Sequence, residues 1–492
     1  MPRPLHALPD ASLRQFSRPE VPPPTALHDV HLIGICGTGM GALAGLFQQA
    51  GLEVRGSDDN VYPPMSTHLA EQGIPVHEGY DPAHLRPAPD LTVVGNACTP
   101  THPEATYARN ERLPQQSFPE ALAHTFLTEA RRPLVVAGTH GKTTTTGLLV
   151  HLLRHAGHDP GFLVGGVPQS TGQSYALGTD APFVLEGDEY DSAYFDKRPK
   201  FLHYRPHAAL VTSVEFDHAD IFVDHDDYRA AFEAFVGQVE GDGLLALCGD
   251  QAEVRALADD ARAPVRTYGL GPHNDVRAES ITPSRTGSSF VLRMGGRRAE
   301  VTLALPGRHN VQNALGAAVL ARHEGVSLSA IAAGFASFEG MKRRQEVRGR
   351  PNDVLVVDDF AHHPTAVQAT VQALRAAHPE RRLVAVFEPR SNTSRRARFQ
   401  SDYGRALDTA DRVFLKAPPV RHNDDADAML DPEAVVQALR DRGTPAAAFD
   451  DVDALLPPLV DTLRPGDLAL LMSNGSFGGL PKRLPDALAD SA

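Results

Sequence analysis

Leu134 to Thr146 reads LVVAGTHGKTTTT, and its chemistry decides what the rest of the chain is built around. A short apolar run delivers a turn of Gly138, Thr139, His140 and Gly141 onto a helix opening with Lys142, Thr143 and Thr144. The unpaired N–H groups and positive dipole end of such a helix face one point and make an anion hole. Lys142 adds a mobile cation for outer phosphates, and Thr143 or Thr144 offers a hydroxyl to a magnesium ion. The full P-loop pattern asks for a further glycine where this chain has Val136. The loop is shortened but its anion hole is intact, so the segment is expected to bind ATP.

Upstream, the stretch from His31 reads HLIGICGTGMGALAGLFQQAGLEVRGSD: strand, glycine turn, helix, and a second strand ending at Ser57 and Asp58. Gly37-x-Gly39-x-x-Ala42, with Thr38 and Met40 between, fits the dinucleotide fingerprint, and Asp58 falls about 20 residues on, where a ribose-binding acid stands. Read alone, this segment would take NAD, yet any nucleotide diphosphate can use the same helix terminus. Strand patterns at 74–76 and 91–95 follow. The second runs into Asn96, a polar residue just past a strand end and therefore facing the crevice. Together these predict a Rossmann-like domain over residues 29–132.

Downstream, a helix is predicted over 142–156 and an apolar run over 183–185, which ends in Glu186, Asp188, Glu189 and Asp191. A carboxylate at a strand tip beside a phosphate loop is placed to bind magnesium or position water, and Glu186 is the first past the run. The run at 208–214 leads in the same way to Asp217-His218, making His218 a candidate for metal or phosphate contact. Residues 265–305 read as a small antiparallel excursion. Asn310 and Asn313 share one helical face, where their amides can meet a base or a ribose. Arg343 and Arg344 form a cationic pair at an interdomain joint, suited to stabilising a phosphoryl group when domains close. Residues 133–344 are thus predicted as a central P-loop ATPase-like domain.

Residues 345–492 alternate again, with strands at 354–357, 383–387, 412–415 and 468–472. Their ends carry Asp358-Asp359-Phe360-Ala361-His362-His363-Pro364 and Glu388-Pro389-Arg390-Ser391-Asn392-Thr393. This is a second Rossmann-like sheet without a phosphate loop, and its polar crevice suits a zwitterionic substrate. The chain of 492 residues carries 47 basic and 61 acidic side chains, a net charge of −14, which argues against a nucleic-acid scaffold. Three scattered cysteines without metal-ligand spacing fit a reduced, cytoplasmic protein. No run is long and apolar enough for a membrane span. The proline-rich residues 1–28 are expected to be a disordered extension.

Gly138-Thr139-His140-Gly141-Lys142-Thr143-Thr144, the Glu186 cluster, Asp217-His218, Gly307-x-His309-Asn310-x-x-Asn313, Arg343-Arg344 and Asp359-Phe360-Ala361-His362-x-Pro364 stand in the order seen in the Mur ligases. From about residue 29 to the end the chain resembles that family of ATP-dependent, amide-forming enzymes of peptidoglycan metabolism. The resemblance implies a three-domain α/β fold and phosphoryl transfer from ATP to a carboxylate, followed by amine attack on the acyl phosphate. Magnesium would be held through Thr143 and Glu186, with a second ion near His218, and adenine against the Asn310 face. Asp359 would bind the nucleotide ribose or orient Lys142, and His362 would sit at the closing seam. The Gly37–Met40 turn would hold the diphosphate of UDP-N-acetylmuramate.

Four further stretches resemble the recycling branch of the family, whose amine substrate is the murein tripeptide L-alanyl-gamma-D-glutamyl-meso-diaminopimelate. They are 60–66, 188–198, 388–393 and 472–475, with Arg390, Ser391 and Asn392 as candidate readers of the peptide. The L-alanine-adding branch is the alternative. Gly187 and Thr212-Ser213 depart from the family pattern. A monomer or weak dimer is expected.

Overall fold

The computed structural model describes residues 5–63, 65–216, 221–419 and 428–490. Three α/β domains follow one another, each around its own sheet. The first sheet is wholly parallel, in the spatial order Val76–Glu78, Glu53–Asp58, Asp29–Ile33, Leu91–Val94, Gln115–Ser117. The order reverses direction between Asp29–Ile33 and Leu91–Val94, so a crevice opens at their C-terminal ends. Helix Thr38–Gln49 starts there, and its Met40, Leu43, Leu46 and Phe47 are buried.

The central sheet has ten strands. Arg132–Ala137, which feeds the phosphate loop, lies between Pro182–Gly187 and Ala208–Val211, all parallel. Five of the six residues of Pro182–Gly187 are buried and Glu186 is half-buried, so the apolar run ends in a carboxylate at the sheet's rim. The antiparallel excursion expected at 265–305 is continuous with this sheet and only partly antiparallel. Val265–Gly269 and Val276–Ser284 join in parallel, and only Gly287–Met294 and Arg297–Leu303 run antiparallel. At the opposite edge lies the two-residue strand Tyr175–Ala176, covered by helix Thr38–Gln49. The contact is so close that a Cβ on Gly45 would fall 2.0 Å from the Tyr175 ring.

The third sheet has six strands, ordered Glu346–Gly349, Leu355–Asp359, Leu468–Met472, Leu383–Phe387, Arg412–Lys416, Ala446–Phe449. Only the first pairing is antiparallel. Two apolar clusters cover its two faces, the arrangement a parallel sheet requires.

In place of a disordered extension, residues 13–28 lie against the first two domains. Arg18 forms a bidentate ion pair with Glu120, His124 bonds the Pro22 carbonyl, and Phe16 stacks on Tyr194. Aromatic and arginine side chains spaced two apart give this proline-rich segment enough contact to order it. Among the described residues no helix is long and apolar enough to cross a membrane.

Candidate active site

The phosphate loop is set by two glycines with positive φ. Gly138 has φ +126° and Gly141 φ +79°. A side chain at Gly138 would meet Thr212, and one at Gly141 would strike the Asn313 amide at 2.4 Å. The loop therefore fits only because both positions lack a Cβ. Helix Lys142–His155 follows, one residue shorter than predicted.

Lys142 Nζ donates to the Gly138 carbonyl at 2.6 Å and to both oxygens of Glu189. Burial works to lower the Lys142 amine, but the charges of Glu189 and Asp188 outweigh it and hold it above its ordinary value. Thr143 Oγ1 donates to Glu186 Oε1 at 2.9 Å and accepts from Arg344 Nη2 at 3.1 Å. The other Glu186 oxygen accepts the Gly165 N–H at 2.7 Å. Burial pushes the Glu186 carboxyl above its ordinary value, against the opposing charges of Lys142 and Arg344. Three segments distant in sequence thus meet around one threonine hydroxyl.

Behind the loop, Thr139 Oγ1 bonds the backbone of Glu215 and the Tyr228 hydroxyl. The His140 N–H donates to Ser213 Oγ, and its ring lies 2.6 Å from Glu215 Oε2. Thr144 is buried beside them, lining a cavity of about 190 Å³ together with Asn310, Asn313, His309, Gln251 and Tyr268. Asn310 Nδ2 donates to the Pro306 carbonyl and Asn313 Nδ2 to Asn310 Oδ1, so the two amides do share one face as their spacing implied. Arg343 reaches the third domain, donating to the Ser473 carbonyl at 2.7 Å. Arg344 lies over the Phe360 ring at 4.6 Å.

Several expectations change. Asp359 does not orient Lys142: its carboxylate accepts the Gln345 and Ala361 N–H groups and fixes the joint, while Glu189 takes the lysine. His362 turns its ring to the Phe360 carbonyl, and the histidine against the phosphate loop is its neighbour His363, 4.8 Å from His140 between ring centroids. Thr365 completes that seam by donating to Glu215 Oε1 at 2.9 Å. His218 lies outside the described residues. Sequence reasoning passed over Glu189, Glu215, Tyr228 and His363. The signal for Glu189 was present in the acid cluster, but nothing local distinguished which acid faces Lys142.

In the first domain, Gly37, Thr38, Gly39 and Met40 open the helix at the crevice as expected. Asp58 is engaged internally: Oδ2 accepts the Cys36 N–H and Oδ1 the Asn60 N–H. Such an acid braces the glycine turn, and each of its oxygens keeps a further lone pair. Ser57 is buried, donating to Glu104 at 2.5 Å, so it positions the strand end and does not face the crevice. Asn96 is half-buried at the rim. In the third domain Arg390 is exposed and lies across Gly475, whose Cβ would stand 2.4 Å from Arg390 Cδ. Ser391 Oγ is engaged with Ser394, and the Asn392 carbonyl accepts from Arg396. Buried Glu388 beneath them accepts from Ser473 Oγ and pairs with Lys416 at 3.3 Å.

Three family models match in succession: "Mur ligase family, catalytic domain" at residues 29–129, "Mur ligase middle domain" at 136–321, and "Mur ligase, glutamate ligase domain" at 343–475. Over 465 residues the chain is 43% identical to the UDP-N-acetylmuramate–L-alanyl-gamma-D-glutamyl-meso-2,6-diaminoheptandioate ligase of Escherichia coli K12, covering 94% of this chain and 99% of that one. It is 35% identical to a UDP-N-acetylmuramate–L-alanine ligase of a Psychrobacter species over 94% of this chain and 96% of that one. A crystal structure of a murein peptide ligase from Psychrobacter arcticus superposes with a TM-score of 0.71 at 36% identity, covering 94% and 99% of the two chains. A UDP-N-acetylmuramate-alanine ligase from Thermotoga maritima shares the fold, with a TM-score of 0.77 at 24% identity and coverage of 94% and 100%. With three domain models in register and a full-length relative above two-fifths identity, the chain belongs to the Mur ligase family of ATP-dependent ligases.

Proposed function

We propose that this enzyme joins UDP-N-acetylmuramate to the murein tripeptide L-alanyl-gamma-D-glutamyl-meso-diaminopimelate, forming ADP and phosphate, in cytoplasmic peptidoglycan recycling. The first domain holds the UDP-sugar at the Gly37–Met40 helix terminus, the central domain holds ATP, and the third takes the peptide. The observation that carries the reading is the convergence on Thr143 of Glu186 from a strand end and Arg344 from the interdomain joint.

A carboxylate and an amine do not condense unaided in water, so the lactyl carboxylate first accepts the γ-phosphoryl group of ATP. Two anions must meet in that step. Lys142 and Arg344 lower their repulsion, and the N–H groups of the loop bind the outer phosphates. The donor set fits magnesium: a carboxylate and a hydroxyl, 2.9 Å apart, are hard oxygen ligands. Thr143 and Glu186 would hold that ion, with a second ion expected near His218, and when bound the magnesium would shield charge on the transferring group. The peptide amine then attacks the acyl phosphate and expels phosphate. The Asn310–Asn313 face and its cavity take adenine, and Arg390 at the exposed crevice of the third domain reads the peptide.

The test is phosphate release from ATP and magnesium with UDP-N-acetylmuramate, offering either the free tripeptide or L-alanine. Release with tripeptide only is expected; release with L-alanine only would assign the chain to the other branch. Lys142→Ala is expected to lower kcat about a thousandfold. Near-normal turnover in that variant would remove the phosphate-loop assignment.

A further inference from the structure

Residues 5–27 lie ahead of the first family match, which begins at residue 29, and none of them belongs to the site described above. They sit instead at a seam between two domains. The central domain sends out a hairpin, Asp191–Ala193 paired with Asp196–Pro199, whose turn carries Tyr194 and Phe195. These aromatic rings pack with Ala193 on Ile33 and Val94, the last residues of the two strands that flank the crevice of the first sheet. The hairpin therefore roofs the end of the sheet where a nucleotide-linked ligand enters.

The seam contains a charge conflict. Glu120, on helix Phe118–Phe126 of the first domain, faces Asp196 of the hairpin; their carboxylate oxygens and a His203 nitrogen lie within 4.8 Å of one another. Two partly buried carboxylates this close repel unless each has its own cation. Asp196 has Arg198 at 2.6 Å and His203 at 3.1 Å. Glu120 is answered by Arg18, whose two terminal nitrogens donate to its two oxygens at 2.7 and 2.9 Å. The same guanidinium lies over the Phe195 ring at 4.6 Å. Phe16 stacks on Tyr194 with centroids 6.2 Å apart and meets Phe195 edge-on at 5.8 Å, and Arg14 donates to the Tyr194 carbonyl at 3.0 Å. One short segment thus grips a helix of the first domain and the hairpin turn of the second.

We propose that residues 14–18 strap the hairpin over the UDP-sugar crevice, with Phe16 and Arg18 as positioning residues for UDP-N-acetylmuramate acting through Tyr194 and Phe195. The inference rests on the first domain being the UDP-sugar site. It is tested with Arg18→Ala and Phe16→Ala in the full chain, varying UDP-N-acetylmuramate at saturating ATP and tripeptide, and by hydrogen exchange of residues 191–199 without substrate. Both variants are expected to raise KM for UDP-N-acetylmuramate about tenfold while kcat and KM for ATP stay within about twofold. Exchange of the hairpin should quicken in both.

Glu120→Gln in the Arg18→Ala background keeps the helix cap, since Gln serves at that capping position, and removes the unanswered charge. It is expected to recover most of the KM. Unchanged KM and exchange would overturn the strap, and so would an equal loss in all three constants without recovery by Glu120→Gln. If the wild type does not turn over UDP-N-acetylmuramate while hairpin exchange still responds, the substrate reading fails and the mechanical contact stands.

Discussion

Lys142 Nζ lies 2.7 Å from Oε2 of Glu189, a carboxylate with no exposure to solvent. The cation of the phosphate loop is held by a buried acid and by the Gly138 carbonyl. The charge of Glu189 helps hold the amine above its ordinary value despite burial. Glu189→Gln leaves a buried ammonium without its counter-ion, a loss of order 3 kcal/mol. The expected result is a lower urea midpoint together with at least about a tenfold fall in kcat. A variant with wild-type midpoint and turnover would show that the pair is incidental.

Thr143 should divide two conservative replacements. Its hydroxyl donates to Glu186 and accepts from Arg344. Thr143→Ser keeps both bonds and should retain most activity. Thr143→Val keeps the shape and loses both, stranding a buried carboxylate and guanidinium. Phosphate release by Thr143→Val is expected to fall at least about a hundredfold, and titration with magnesium should need a higher concentration for half-maximal rate.

The seam between the phosphate loop and the third domain carries a pH dependence of definite sign. Burial works to raise the Glu215 carboxyl, but the His140 hydrogen bond and charge, the Thr365 hydroxyl and the His363 charge outweigh it and hold it at about 2. A carboxyl depressed below its unfolded value contributes stability that is present above that value and is lost as pH falls through the folded one. Glu215→Gln should therefore lower the urea midpoint at pH 6. The gap to wild type should close progressively from about pH 4.5 downward, where the unfolded carboxyl takes up its proton. A gap that is constant across that range would rule out Glu215 ionisation as its source.

Gly475 is the bed on which Arg390 lies, and a methyl there would stand 2.4 Å from Arg390 Cδ. Gly475→Ala must push the arginine aside. KM for the tripeptide should rise about tenfold, with KM for ATP unchanged, and Arg390→Ala should produce a similar rise. Combined, the two changes should cost little more than either alone, because both remove the same contact. Additive losses would mean that Gly475 acts on the backbone and not through Arg390.

Much of this was open to a reader of the sequence, for reasons visible in particular elements. Leu383–Phe387 and Leu468–Met472 have the predicted bounds because each is an apolar run buried on both faces and closed by polar residues. The phosphate loop was legible because its glycines and lysine are adjacent in the chain. Gln115–Ser117 and Ala446–Phe449 were missed, being short, weakly apolar edge strands fixed only by their neighbours. Of the site, the residues that act through backbone geometry were readable, whereas partners chosen by tertiary approach were not. Nothing local says that Lys142 meets Glu189, or that His363 packs against His140. The N-terminal segment was misjudged because proline content speaks of backbone propensity, while Phe16 and Arg18 order it through distant rings and a distant acid.

The two ends of the central sheet bear on whether its domain can exist alone. At one end Arg297–Leu303 shows solvent a row broken by Arg297, Arg298 and Glu300, charges that discourage a foreign strand from adding on. At the other, Tyr175–Ala176 carries no such charges and is screened by helix Thr38–Gln49, packed down to the missing side chain of Gly45. The first domain thus also shields a sheet edge of the second, and a fragment beginning near residue 132 is expected to bare that strand.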